Sequence, residues 1–158
     1  MKLIVGSDKA GFALKEAVKA HLLDLGHEVV DLGTKDLENV SPYFEVGAIV
    51  ARAMQRGEAE KGFLFCGTGM GVSVVANRHK GVTASVCESE TTARLCRVIN
   101  NANILCMGGW LISEFVGKRM ADVFLTTEFT EGMPERAEWL CKAYDTLQGL
   151  DNDGSFNG

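Results

Sequence analysis

Five short apolar runs, each closing on Gly, Asp or Cys, recur along the chain with a longer amphipathic stretch after each. The runs are KLIVG (2–6), EVVDLG (28–33), GFLFCG (62–67), VTASVC (82–87) and NILCMGG (103–109). Their shortness and their β-branched content predict strands. Between them apolar residues fall at helical spacing: Phe12, Leu14, Val18, Leu22 and Leu25, then Val46, Ile49, Val50 and Ala53, then Val72, Val75 and Ala76, then Ala93, Leu95 and Cys96. LISEFVGKRMADVFL (111–125) and MPERAEWLCKAYDTL (133–147) read as two further helices. Strictly alternating strands and helices connect by right-handed crossovers and build a parallel sheet covered on both sides. The expected fold is α/β, a Rossmann-like three-layer sandwich with a five-stranded parallel sheet and helices on both faces. Residues 1–147 are expected to form one domain and 148–158 a polar, flexible tail.

Such a fold places its ligand beyond the carboxyl ends of the strands, so the loops there carry the function. They hold GSDKAG (6–11), GTKDLENVSPYFEVG (33–47), CGTGMG (66–71), CESETT (87–92) and GGWLISE (108–114). Asp8, Lys9, Tyr43, Cys66, Thr68 and Glu88 can therefore converge although they are distant in sequence. In CGTGMG the three glycines let the backbone come close to a ligand and turn N–H groups toward an anion at the start of the next helix. A dinucleotide loop would have the same G-x-G, with Glu88 as its acidic residue, but its third glycine falls on Val72 and the loop follows the third strand. The alternative uses Cys66 itself, a thiol at a helix amino terminus where negative charge is stabilised, as a base or nucleophile. Against this stands the inert, buried cysteine that packing alone would put there.

Charge and cysteine content narrow the partners. The formal net charge of -5 is spread along the chain without basic blocks, which argues against nucleic acid or an anionic membrane. Neither an 18-residue apolar span nor a signal-peptide core is visible, so the expected compartment is cytoplasmic. The five cysteines include no C-x-x-C pair, so free thiols are expected, and no metal site. Cys87 and Cys106 are read as packing, His21 and His27 as structural, and His79 as solvent-facing.

At this point the segments GSDKAGFALKEAVKAHLLDLGHEVVDLGT, GEAEKGFLFCGTGMGVSVVANRHKGVTASVC, TTARLCRVINNANILCMGG and FLTTEF carry a resemblance. Over residues 2 to 140 the chain is similar to the ribose-5-phosphate isomerase B and galactose-6-phosphate isomerase family, above all in C-G-T-G-x-G followed by A-N-x-x-x-G. The resemblance implies interconversion of an aldose and a ketose through a cis-enediolate, without cofactor or metal. It also implies a homodimer, with a tetramer as the alternative, whose sites are shared between subunits. The implied catalytic residues are Cys66 as base, Thr68 and Asn100. The implied substrate-binding residues are Asp8, Lys9, Tyr43, Gly67, Gly69, Met70, Gly71 and Arg136, facing a small sugar or sugar phosphate.

The departures from the family pattern are specific. Lys9 replaces the His of D-H-A-G, Ile99 stands at the ring-opening His, and Trp110 stands where an Arg is usual. The Arg-rich stretch near the carboxyl terminus becomes EGMPERAEW (131–139). A side chain such as Ile99 transfers no proton, so the substrate is expected to be open-chain or to open without help. A non-catalytic sugar- or anion-binding protein and a nucleotide-binding domain are the competing readings.

Overall fold

The computed structural model describes residues 1–153. Among them, strands β1 (Lys2–Ser7), β2 (Glu28–Asp31), β3 (Lys61–Cys66), β4 (Ala84–Val86) and β5 (Ile104–Gly108) form one parallel sheet in the order β2-β1-β3-β5-β4. The helices are α1 (Phe12–Asp24), α2 (Tyr43–Gln55), α3 (Met70–Ala76), α4 (Glu90–Asn100), α5 (Glu114–Thr126) and α6 (Ala137–Asp153), with a 3-10 turn at Pro134–Arg136 before the last. The α/β sandwich expected from the alternation is the fold found. Helix α6 runs six residues past the boundary expected at 147, and the rest of the expected tail, 154–158, lies outside the described residues. Among the described residues no helix is long and apolar enough to cross a membrane.

The pleat sorts the side chains into two cores. Leu3, Val5, Phe63, Phe65, Leu105 and Met107 point to one face, where they meet Leu14, Val18 and Leu22 of α1, Ala93 of α4 and Met120 and Phe124 of α5. Ile4, Leu64, Cys66, Ile104 and Cys106 point to the other, against Val46 and Val50 of α2 and Val72 and Ala76 of α3. Sheets buried on both faces need this continuous apolar run, and the alternation within it decides which helix each residue meets. The sheet order makes the first crossover pass from β1 outward to β2 and the next return to β3 on the opposite side. The strands part company in this sense between β1 and β3, and a crevice opens beyond their carboxyl ends.

Two charged side chains are buried in this frame, Arg97 of α4 and, more deeply, Lys15 of α1. Lys15 is fully buried on α1, and its Nζ donates to Asp31 Oδ2 at 2.6 Å and to the Thr34 carbonyl, lies 2.8 Å from Glu16 Oε1, and sits 5.0 Å from the centroid of the Phe12 ring. Lys19 Nζ reaches the same Asp31 oxygen at 2.9 Å. Burial works against the Asp31 carboxylate, but the hydrogen bonds from Lys15 and Lys19 and the Gly33 N–H outweigh it and hold its pKa below the usual aspartate value. The network ties α1 to β2 and to the loop that leads into α2. Thr34 Oγ1 accepts from the Ser41 N–H at 3.0 Å, just ahead of Pro42 and Tyr43 at the start of α2.

Removing one partner of a buried ion pair strands the other, at a cost of about 3 to 5 kcal/mol. Asp31→Asn is therefore expected to lower the urea midpoint sharply. Because the folded pKa of Asp31 is depressed, its contribution is present above the unfolded value of about 3.9 and is lost as pH falls through the lower folded value. The stability gap between wild type and Asp31→Asn should be constant above about pH 5 and close below about pH 4. A gap that stays constant down to acid unfolding would contradict the ion pair.

Candidate active site

The crevice between β1 and β3 holds a cavity of about 700 Å³. Its floor is the end of β3: Cys66, Gly67 and Thr68, with Gly71 from the first turn of α3. One side is the loop after β1, contributing Asp8, Lys9 and Ala10, and the remaining walls are Tyr43 and Trp110. A second space of about 500 Å³ lies behind Tyr43, sharing Asp8 and Lys9 and bordered by Val40, Ser41 and Phe44.

Each side chain is held by a local cause. Cys66 is 5% exposed, and the Gly69 N–H donates to its Sγ at 3.1 Å, which fixes the sulfur at the mouth of the loop. Gly69 takes φ +78°, a left-handed conformation that a side chain would resist, and this turn aims its N–H back at the sulfur. Thr68 Oγ1 accepts from the Met70 N–H at 3.3 Å. Among the described residues the N–H groups of Thr68 and Gly71 have no protein acceptor and remain available to a ligand. Asp8 Oδ1 accepts from the Gly11 N–H at 2.9 Å, so its carboxylate both closes the loop ahead of α1 and edges the cavity. Lys9 is exposed and, among the described residues, makes no ion pair, which leaves its charge to the cavities it borders.

Of the residues singled out from sequence, Asp8, Lys9, Tyr43, Cys66, Gly67, Thr68 and Gly71 meet in this cavity. Gly69 acts beneath it through Cys66, and Met70 is exposed at the start of α3. Asn100 does not join them: with Ile99 it ends α4 and borders a small recess of about 70 Å³ with Ala143, Tyr144 and Leu147 of α6. Arg136 closes the exposed 3-10 turn before α6 and does not line the cavity either. Glu88 is exposed beyond β4, where its N–H donates to Thr92 Oγ1, outside the cavity. Val72, where a dinucleotide loop would need its third glycine, is buried in the core.

Trp110 is the wall residue that the sequence reading entered only as a missing arginine. The signal was its place two residues beyond the end of β5, a strand next to β3 in the sheet. The remaining thiols are packing groups or surface: burial among apolar side chains pushes the Cys106 thiol up, and Cys141 is exposed. Cys87 and Cys96 are both buried, and the Cys96 thiol donates to the Ala93 carbonyl at 3.2 Å. Among the described residues no three His, Cys, Asp or Glu side chains are grouped so as to hold a metal ion. His21 bonds Asp122 at 2.6 Å and His79 the Val75 carbonyl at 3.1 Å, so neither reaches the cavity.

Comparison with known proteins shows the family. A family model described as Ribose/Galactose Isomerase matches residues 3–139. The 4-deoxy-4-sulfo-D-erythrose isomerase of Clostridium sp. (strain MSTE9) is 53% identical over 141 residues, 89% of each chain. Ribose-5-phosphate isomerase B of Escherichia coli (strain K12) is 37% identical, over 83% of this chain and 87% of that protein. The solved structure of Clostridium thermocellum ribose-5-phosphate isomerase B superposes with a TM-score of 0.89 at 32% identity, covering 98% of this chain and all of the other.

The cavity depends on loops that touch backbone to backbone. A Cβ on Gly109 would fall 2.4 Å from the Ala10 carbonyl oxygen, an atom with no flexible side chain to swing aside. Gly109→Ala should therefore destabilise the fold by about 1 to 3 kcal/mol through overpacking. Thermal unfolding beside wild type tests this, and an unchanged midpoint would mean that the loops after β1 and β5 separate freely.

Proposed function

The chain belongs to the ribose/galactose isomerase family and is an aldose–ketose isomerase, and from that premise we propose that its substrate is an acyclic four-carbon sugar bearing an anion on C4. The observation that carries this reading is Ile99 standing where the family's ring-opening histidine is expected, while the cavity gathers the Cys66 sulfur with N–H donors that have no protein acceptor among the described residues. A furanose closes when O4 adds to C1. A four-carbon aldose with sulfonate on C4 has no O4, and in its 4-phosphate counterpart that oxygen is esterified. Neither forms such a ring, so an enzyme for them needs no acid to open one, and Ile99 costs it nothing. The 53% identity to a 4-deoxy-4-sulfo-D-erythrose isomerase supports the same substrate class.

The chemistry is a proton moved between adjacent carbons. Cys66 removes the proton from C2 of the aldose, leaving a cis-enediolate, and returns it to C1 while the hydroxyl proton passes from O2 to O1. The oxidation of C2 and the reduction of C1 balance within one molecule, so no external electron carrier is required. The N–H groups of Thr68 and Gly71, which have no protein acceptor among the described residues, serve the developing oxyanion, the kind of fixed donor that is worth most in a closed site. Asp8 and Tyr43 grip hydroxyls, Thr68 holds the substrate by its hydroxyl, and Lys9 meets the anion.

Asn100 and Arg136 enter through a second copy of the chain. Their position away from the cavity, together with the exposed apolar side chains of Met70, Val74, Leu111 and Phe115, supports a homodimer in which the partner's Asn100 completes the site. Five cysteines, none of them bonded in a disulfide, fit a reducing, cytoplasmic setting.

Initial rates on 4-deoxy-4-sulfo-D-erythrose, D-erythrulose 4-phosphate and D-ribose 5-phosphate test the substrate reading. A four-carbon substrate should be fastest, and preference for ribose 5-phosphate would overturn it. Cys66→Ser should fold normally and lose at least about a hundredfold in kcat, the scale of a positioned base. Near wild-type turnover would move the base elsewhere. Lys9→Ala should raise KM for the anionic substrate about ten- to a hundredfold, from a lost charge-assisted hydrogen bond of about 1.5 to 3 kcal/mol, with little change in kcat. An unchanged KM would make Lys9 a surface charge only.

A further inference from the structure

Trp110 combines three properties that seldom meet in one residue. Its indole is 74% exposed, it lines the cavity, and it packs so closely on the loop of Cys66 that a Cβ on Gly67 would fall 2.8 Å from Cε3, Cζ3 and Cη2 of the ring. Its backbone is tied to the same strand end. The Trp110 N–H donates to the Gly67 carbonyl at 3.0 Å, and the Gly109 N–H to the Cys66 carbonyl at 2.8 Å. Tyr43 packs on Gly71 in the same manner, 2.8 Å from the position of a Cβ there. Two ring systems thus flank the loop that carries the sulfur, and a side chain on either glycine would push its ring away.

We propose that Trp110 is a specificity-determining residue that limits the length of the substrate, rejecting five-carbon sugar phosphates in favour of four-carbon ones; this rests on the substrate class proposed above. The reacting carbons are fixed by Cys66, so each further carbon carries the anion outward from the loop. The indole lines the cavity beside Gly67 with a face that is apolar and carries the negative side of the ring quadrupole. It accepts the C–H surface of a short chain and disfavours an anion driven against it. Its single N–H cannot grip a phosphate as a guanidinium fork does. A four-carbon substrate ends before this wall and leaves its anion to Lys9. One methylene in a shaped pocket is worth about 10- to 200-fold in discrimination, enough to set the preference.

The test compares wild type, Trp110→Ala and Trp110→Arg on D-erythrulose 4-phosphate and D-ribose 5-phosphate. In Trp110→Ala the four- to five-carbon ratio of kcat/KM should fall at least about tenfold, chiefly through a lower KM for the five-carbon substrate. Trp110→Arg should lower KM for ribose 5-phosphate further. The chain has two tryptophans, so Trp139→Phe leaves Trp110 as the sole indole. Its emission should change on titration with D-erythrulose 4-phosphate, saturating near KM, whereas Trp110→Phe should show no such change. A ratio unchanged within about twofold in a wild-type background that prefers four carbons, or an emission from Trp110 that ignores saturating substrate, overturns the proposal and leaves the substrate class standing. Faster turnover of ribose 5-phosphate than of either four-carbon substrate by wild type removes the substrate class, and this proposal with it.

Discussion

The site exists because three loops meet without side chains between them. A Cβ on Gly11 would lie 2.5 Å from the Phe65 backbone, one on Gly109 2.4 Å from the Ala10 oxygen, and one on Gly108 2.8 Å from Thr68. The loops after β1, β3 and β5 are therefore pressed into one continuous wall at the carboxyl edge of the sheet. Dispersion and hydrogen bonding across such short separations hold the wall as a unit. The consequence for chemistry is positional: Lys9, Cys66 and Trp110 come from three different connections, yet none can drift relative to the others without parting backbone from backbone.

The fourth wall is fastened differently. Tyr43 begins α2 and follows a loop from 32 to 42 that has no regular structure, the kind of segment that would ordinarily wander. Lys15 anchors the near end of that loop from inside the protein through the Thr34 carbonyl, and Thr34 passes the constraint to Ser41 through its hydroxyl. An ammonium group withdrawn from water is tolerable only because Asp31, Glu16 and a carbonyl surround it. What looks like a costly polar intrusion into α1 is what brings the tyrosine ring to Gly71.

Much of this was legible in the sequence, and the exceptions have physical reasons. The five apolar runs gave the strands because a sheet covered on both faces demands them, though β4 retains only Ala84–Val86 of the run 82–87. The loop at 66–71 was readable because glycine spacing reports close approach, and Asp8, Tyr43 and Thr68 followed from their places after strands. Lys15 was not readable: on an amphipathic helix a lysine looks solvated, and only its partners sixteen and nineteen residues away reveal otherwise. Trp110 was counted as an absence of charge when its ring is a presence of surface. Asn100 and Arg136 lie away from the cavity because they sit at the end of α4 and in the turn before α6, and no sequence pattern tells which loop residues the fold brings to the crevice.

The position of β5 between β3 and β4 also bears on how the molecule is made. On a ribosome, β3 emerges with its outer edge unpaired, since its neighbour on that side begins only at Ile104. At about 5 to 20 residues per second, the interval between Cys66 and Gly108 is about 2 to 8 seconds. Throughout it the nascent chain presents the apolar segment FLFC with open hydrogen-bonding groups, a template for wrongful pairing. The cysteine at the heart of the site thus sits at the end of a strand whose outer edge is closed late in synthesis.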